Sequence, residues 1–131
     1  MIANRSVPSS TVIPELAYDD VPAASDWICR AFGFRERLRI GDHRAQLVYG
    51  DGALILITRA THGHGSVLMR VPDADGHHEQ AKRAGAKILT PPTDYPYGER
   101  QYTAEDLGGH EWTFSQSIAD IDPASWGGTL R

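Results

Sequence analysis

Cysteine is almost missing from this chain. Cys29 stands alone, so no intramolecular disulfide can staple the fold. A chain without such staples suits a reducing compartment, and we expect a cytoplasmic protein. Long apolar runs are missing too: no stretch approaches the roughly 20 residues that a membrane-spanning helix needs. Neither sign of charge is in large excess, since 13 basic against 17 acidic residues leave a net charge of −4. That gives no electrostatic reason to expect nucleic acid or anionic lipid as a partner. Glycine-rich phosphate loops, paired cysteines and a serine nucleophile elbow do not occur.

What remains is ordinary globular material. Hydrophobic residues make up 40% of the 131 positions and charged residues 23%, enough for one core in one domain. Met1 to Ser10 carry a single charge, Arg5, and no continuous apolar core. They do not read as a secretory signal. Pro8, Ser9 and Ser10 oppose regular structure, so this segment is expected to be a loose arm.

Beyond it the pattern becomes regular. Thr11 to Ala17 reads as a strand. Asp19 and Asp20 offer a helix cap, and Pro22 falls in the first turn, where its missing N–H costs little. Val21, Ala24, Ile28, Ala31 and Phe32 recur near the helical period, and Gly33 suits the left-handed residue at a helix end. Strands follow near Arg35–Ile40, Ala45–Tyr49 and Ala53–Thr58, separated by Gly41-Asp42 and Gly50-Asp51-Gly52. Ala53-Leu54-Ile55-Leu56-Ile57 is apolar on both faces, as in a strand covered on both sides.

After the loop Arg59–Gly65 the same order returns. Ser66–Val71 reads as a strand, Asp73 caps a helix ending at Gly85, and strands follow at Lys87–Thr90, around Tyr97–Thr103 and at Glu111–Gln116. The spacing from helix cap to terminal glycine is 13 residues in the first half and 12 in the second. Two strand–helix–strand–strand–strand units imply an internal duplication. One helix covers only one face of a four-stranded sheet, so the concave faces of the two sheets are left to form a pocket. The expectation is an α+β protein: a flexible arm over 1–10, one domain over 11–117 with modules 11–58 and 66–117, and a tail over 118–131.

Two strings carry a family resemblance. One is Val12-Ile13-Pro14-Glu15-Leu16, Asp19-Asp20-Val21 and Ala31-Phe32-Gly33-Phe34. The other is Thr90-Pro91-Pro92, Pro96-Tyr97-Gly98-Glu99-Arg100, Tyr102, Glu105-Asp106, Gly109-His110 and Trp112-Thr113-Phe114-Ser115-Gln116. In this order they resemble the two modules of the glyoxalase, bleomycin-resistance and extradiol-dioxygenase superfamily, over about Val12 to Gln116. The resemblance implies the paired βαβββ fold called vicinal oxygen chelate, a curved mixed sheet around a central cavity, and a homodimer. It also implies metal-ligand positions at Ile13, Leu56, Ser66 and Thr113, where metal-using members carry His and Glu. Ile13 and Leu56 donate nothing, and Ser66 and Thr113 offer only neutral hydroxyls, which are poor ligands alone. No metal or other cofactor is therefore expected. Glu111 shares the face of Thr113 and His110 the opposite one.

Other residues invite a role. His62 and His64 lie in a glycine-rich loop without a nearby carboxylate or thiol, and are expected to be solvated. His78 shares a helix face with Ala74 and Ala81 and is expected to pack. His43 sits in a turn, and Cys29 reads as a small buried hydrophobe. Glu15 has the parity of the cavity face, as does Arg70. The two either pair at the strand ends or place a polar anchor, or a base, in the pocket. Arg100 could clamp a carboxylate or phosphate with Tyr97 and Tyr102 stacking on a flat ligand, or could pair with Glu105 or Asp106. Trp27, Trp112 and Phe114 are expected in the core, and Trp126 in a tail that wraps the body or meets a second subunit.

The leading expectation is a metal-independent protein that binds or sequesters a small, partly aromatic molecule through Ile13, Glu15, Leu56, Ser66, Arg70, Tyr97, Arg100, Tyr102 and Thr113. The alternative is a metal-dependent lyase, isomerase or dioxygenase. A metal-free enzyme would draw its base from Glu15 or Glu111.

Overall fold

The computed structural model describes residues 4–59 and 63–126. The expectation for His62 falls outside them, as do those for the side chain of Trp126 and for the chain beyond it. The elements run β1 (Glu15–Tyr18), α1 (Val21–Phe32), β2 (Arg35–Ile40), β3 (Arg44–Tyr49) and β4 (Gly52–Thr58). The second series is β5 (Ser66–Arg70), α2 (Ala74–Arg83), β6 (Lys87–Tyr95), β7 (Glu99–Glu105) and β8 (Glu111–Ser117), before a 3₁₀ turn at Pro123–Trp126. The first sheet has the order β1-β4-β3-β2 and the second β5-β8-β7-β6. In each the outer pair is parallel and the rest antiparallel. The duplication read from the sequence is present as two matching modules.

Both helices start where the sequence supplies a cap. The Asp20 carboxylate accepts the Ala23 N–H at 3.0 Å, and Asp73 accepts that of Gly76 at 3.1 Å. Helix α1 stops at Gly33, whose φ of 83° is the left-handed turn that favours glycine. It buries Val21, Ala24, Ile28, Ala31 and Phe32 against Leu16, Tyr18, Leu47, Leu54 and Leu56. Helix α2 buries far less, only Ala74, His77 and Ala81. The two halves share one core, because the Phe32 ring sits 5.0 Å from Trp112 and 4.9 Å from Phe114. Trp112 and Phe114 are both fully buried, as expected.

Several expectations need correction. The first strand begins at Glu15 and not at Thr11, since Pro14 has no N–H to pair; its carbonyl still accepts from Ile55 at 2.9 Å. The strand expected to end at Thr90 runs on to Tyr95 through Pro91-Pro92. Prolines are tolerated there because β6 is an edge strand with two register shifts. Helix α2 ends at Arg83, two residues before Gly85. His78 packs as expected, its ring 5.2 Å from that of Tyr102, and its neighbour His77 is buried more deeply still.

The segment read as a loose arm is tied down at three points. Its Arg5 and Ser6 carbonyls accept from Arg37 and Gln46, and Ser10 donates to the Asp51 carbonyl at 2.6 Å. Gln46 stands opposite Ile55, so residues 5–10 cross the face of the first sheet that α1 leaves bare. Pro8, Ile55 and Ala53 are accordingly buried. This is how a strand apolar on both faces comes to be covered on both.

Candidate functional site

The residues that join the modules also frame the site. Asp106 is buried and accepts four hydrogen bonds. Tyr18 and the Trp112 indole reach one oxygen at 2.6 and 2.9 Å; the Gly108 and His110 amides reach the other at 2.9 and 3.0 Å. Burial, and then the Asp106 charge, hold the Tyr18 hydroxyl far above its usual range, so it stays a donor. His110 is locked as well: Nδ1 accepts the Gly65 N–H at 2.7 Å, so Nε2 carries the proton and donates to the Ala17 carbonyl at 2.7 Å. Arg59 donates to the Ala17 and Gly108 carbonyls at 3.1 and 2.6 Å. Its Nε stands 3.4 Å from Asp19, near enough for charge attraction but not aligned for a hydrogen bond.

These ties fasten the ends of β1 and β4 to Gly65 and to the Asp106–His110 turn of the second module. At the other end of β1 the modules part, and a cleft of about 720 Å³ opens between the Gly50–Gly52 turn and β5. Its floor is aromatic and aliphatic: Phe34, Tyr49, Leu54, Val67, Met69 and Trp112. Its rim carries Asp51, Arg70, Gln116 and Ser117. The volume lies within the range of pockets that take drug-sized molecules. A smaller hollow of about 160 Å³ lies by Glu15, His64 and His110.

Two of the rim residues, Arg70 and Ser117, belong to a hydrogen-bonded row on the face of the second sheet away from α2, whereas Gln116 accepts the Ala74 N–H at 2.9 Å at the start of α2. Arg70 Nη1 donates to Glu99 at 3.0 Å and to the Ser117 hydroxyl. Glu99 also accepts from Ser115 at 2.7 Å and Ser117 at 2.6 Å. Gln101 donates to Ser115 at 2.9 Å and accepts from Tyr97 at 3.1 Å. Partial burial pushes the Glu99 carboxyl upward, but the hydroxyls of Ser117 and Ser115, and then Arg70, outweigh it and hold the group below its usual range.

Of the binding and catalytic residues expected from sequence, only Arg70 lines the large cleft. Val12 and Pro14, the neighbours of Ile13, line it. Glu15 pairs with Arg44 at 3.2 Å, and Arg70 with Glu99, so the expected Glu15–Arg70 pair is replaced by two others. Leu56 is fully buried beneath α1, because the open-face residues of β4 are Ile55 and Ile57. Tyr102 is equally buried; its hydroxyl meets His77 Nδ1 at 2.5 Å, and His77 Nε2 meets the Phe32 carbonyl at 2.8 Å. Burial holds His77 below its ordinary pKa and the Tyr102 hydroxyl above. Arg100 is bound by Asp75 at 3.0 Å and Asp94 at 2.8 Å, neither of them an expected partner, and it does not line the cleft. Tyr97 stacks on Tyr95 at 5.5 Å. Ser66 and Glu111 are exposed register partners, and Thr113 shares a hydrogen bond with Thr103 at 3.2 Å. Cys29 is half-buried, with its thiol pushed up by burial and then by Glu36.

The side chains at the four implied ligand positions do not fit a divalent metal. Ile13 and Leu56 are hydrocarbon, Leu56 faces the core, and the Thr113 hydroxyl is already engaged. Among the described residues no three or more His, Cys, Asp or Glu side chains gather as ligands. Sequence reasoning passed over His77, next to the histidine it expected to pack. It weighed Asp106 only as a partner for Arg100, although an Asp two residues before Gly108-Gly109 is a turn signal.

The comparisons with known proteins agree with this architecture. The family model described as Glyoxalase/Bleomycin resistance protein/Dioxygenase superfamily matches residues 11–114. The crystal structure of TioX from Micromonospora sp. ML1 is 36% identical with a TM-score of 0.77, over 84% of this chain and 100% of that one. Lactoylglutathione lyase from Agrobacterium tumefaciens has a TM-score of 0.70 over 92% of this chain and 98% of that one; at 18% identity the likeness concerns the fold alone. A Mycobacterium bovis protein, Mb0911c, is 24% identical over 128 residues, covering 83% of this chain and 84% of its own. With a family model spanning most of its length and the same paired modules, the chain belongs to the glyoxalase, bleomycin-resistance and dioxygenase superfamily.

Proposed function

We propose that this protein binds a small, partly aromatic molecule in the seam cleft without a metal ion. The observation that carries the reading is the cleft itself: about 720 Å³, floored by Phe34, Tyr49 and Trp112, with few polar groups at its rim. Such a floor offers flat apolar contact and offers no acid–base pair. The binding residues under this reading are Arg70 and the aromatic floor. Glu15 and Glu111 stand apart from the cleft.

A homodimer fits the same reading. Leu68, at the edge of the cleft on the open face of the second sheet, is 63% exposed, an apolar border that a second copy could cover. Sedimentation analysis tests it, and a monomer at high concentration counts against it. No helix is long and apolar enough to cross a membrane, and a cytoplasmic site of action is part of the proposal.

The decisive experiment is a thermal-shift and Trp-fluorescence screen against flat aromatic compounds and antibiotics. A ligand at 100 times its Kd raises stability by about 2.7 kcal/mol and perturbs the emission of Trp112. A broad library without a stabilising compound overturns the proposal.

A further inference from the structure

The strand that borders the cleft, β5, has a partner on one side only. It pairs in parallel with β8, and the second sheet ends there. The Glu111 N–H reaches the Gly65 carbonyl at 3.1 Å, and the Val71 N–H reaches the Ser115 carbonyl at 3.0 Å. In such a ladder alternate residues turn both main-chain groups to the same neighbour. Residues 65, 67, 69 and 71 therefore face β8, and the N–H and C=O of Leu68 and Arg70 point the other way. No main-chain group among the described residues bonds to them. Residues 67–72 all line the cleft, so this outer edge borders it.

Donors and acceptors thus alternate over two residues of strand, about 7 Å. The complement of that row is another extended main chain, which a ring with a single polar group does not supply. Size narrows the choice. At about 4.8 Å between strands, 10 Å through a sheet and 3.3 Å per residue, a strand takes roughly 160 Å³ per residue. The cleft of about 720 Å³ then holds about four residues, which suits a short peptide and not the edge of a folded protein.

Arg70 marks one end of the row. Its Nη1 is held by Glu99 and Ser117, while Nε and Nη2 have no hydrogen-bond partner among the described residues. Those two donors form a fork that fits a carboxylate, with Glu99 away on the Nη1 side. The side chain is 64% exposed, so a carboxylate bound there keeps part of its water. A peptide running in the direction of β5 would bring its C-terminus to this fork.

We propose that the cleft takes short extended peptides with a free C-terminal carboxylate. The main chain pairs with the outer edge of β5 at Leu68 and Arg70. The carboxylate lies on the Nε–Nη2 edge of Arg70, and apolar side chains rest on Phe34, Tyr49 and Trp112. This rests on the cleft being the binding site.

The probe is the acetylated tetrapeptide Phe-Ala-Phe-Ala, titrated at neutral pH and followed by amide chemical shifts, beside 2-naphthol as an aromatic without a main chain. The peptide should shift the Leu68 and Arg70 amides downfield and slow their hydrogen exchange. Replacing its amides by esters one at a time should give an alternating pattern, with about three- to tenfold loss at every second position and little between. C-terminal amidation should cost about fivefold or more, and Arg70→Gln should erase that difference. Leu68→Pro, on an edge where the missing N–H leaves the ladder intact, should weaken the peptide more than Leu68→Ala does. The inference falls alone if 2-naphthol binds at the cleft and the peptide does not, if the ester series shows no alternation, or if amidation changes nothing. It falls too if concentrated protein without peptide already protects both amides, which would assign the edge to a second copy. If neither probe shifts cleft resonances of the folded protein, the binding reading falls and takes this one with it.

Discussion

Asp106 shows how much one side chain can carry. Its two oxygens collect donors from Tyr18, Trp112, Gly108 and His110, which lie on both modules. Asp106→Ala leaves four donors without an acceptor at a buried point. The expected cost is about 3–5 kcal/mol, read from urea unfolding. Asp106→Asn keeps the shape and should cost less. His77 gives a second residue-level expectation, in pH. Its native pKa lies below the ordinary 6.5 because burial disfavours the imidazolium. The unfolded chain therefore takes up a proton first as the solution is acidified. The stabilising contribution of His77 is complete above about pH 6.5 and shrinks as pH falls toward the native value. His77→Gln should flatten that part of the stability–pH curve, and should also lower stability by about 1–3 kcal/mol through the loss of its two bonds. A parallel curve for the variant would refute the assignment. Neither role was legible in the sequence. The turn signal at Asp106 predicts a local bond to Gly108, but not a hydroxyl 88 residues away.

Among the elements, the helices and their caps were the most readable, because an Asp at the cap, a terminal glycine and a 3.6-residue stripe are local facts. Edge strands were the least readable. Thr90 looked like an end because Pro91 follows, yet an edge strand has one side on which an absent N–H costs nothing. The face of Leu56 was assigned by parity from an assumed ligand position, and one residue of error turned it from the cleft to the core. The N-terminal segment was misjudged for a related reason. Its ties come from its own backbone carbonyls and from Ser10, whereas the side chains of Arg37 and Gln46 do the recognising. Deleting residues 1–10 should uncover Ile55 and strand Gln46, which is 3% exposed. The loss of three hydrogen bonds and of that apolar cover should lower stability by about 2–4 kcal/mol. An unchanged Tm for the truncated chain would show that the segment does not hold in solution.

At the scale of the molecule, two expectations follow from the shared core. The first concerns cooperativity. Phe32 packs on Trp112 and Phe114, and Trp27 donates to the Ala84 carbonyl at 2.9 Å, so neither module keeps its interior without the other. Unfolding followed by circular dichroism and by tryptophan emission should give coincident transitions. Two separated transitions would mean that the modules are independent. The second concerns metals. Two hydrocarbon side chains, one engaged hydroxyl and one exposed neutral hydroxyl give a chelator nothing to remove at these positions, so dialysis against EDTA should leave both Tm and ligand affinity as they were. A loss of either on chelation, restored by one divalent ion, would contradict the reading of the site. The duplication was legible because it repeats across the whole chain. The cleft was not, because it depends on where two sheets part.

That parting has a mechanical side. Among the described residues no main-chain hydrogen bond links β1 to β5, although each is firmly laddered within its own sheet. Side chains alone therefore set the width of the mouth, and the Phe32–Trp112–Phe114 packing and the Asp106 bonds hold the two sheets at one angle. A graded series of aromatic compounds should accordingly show an abrupt loss of affinity beyond one width, measured by titration, and a smooth decline would contradict a fixed mouth.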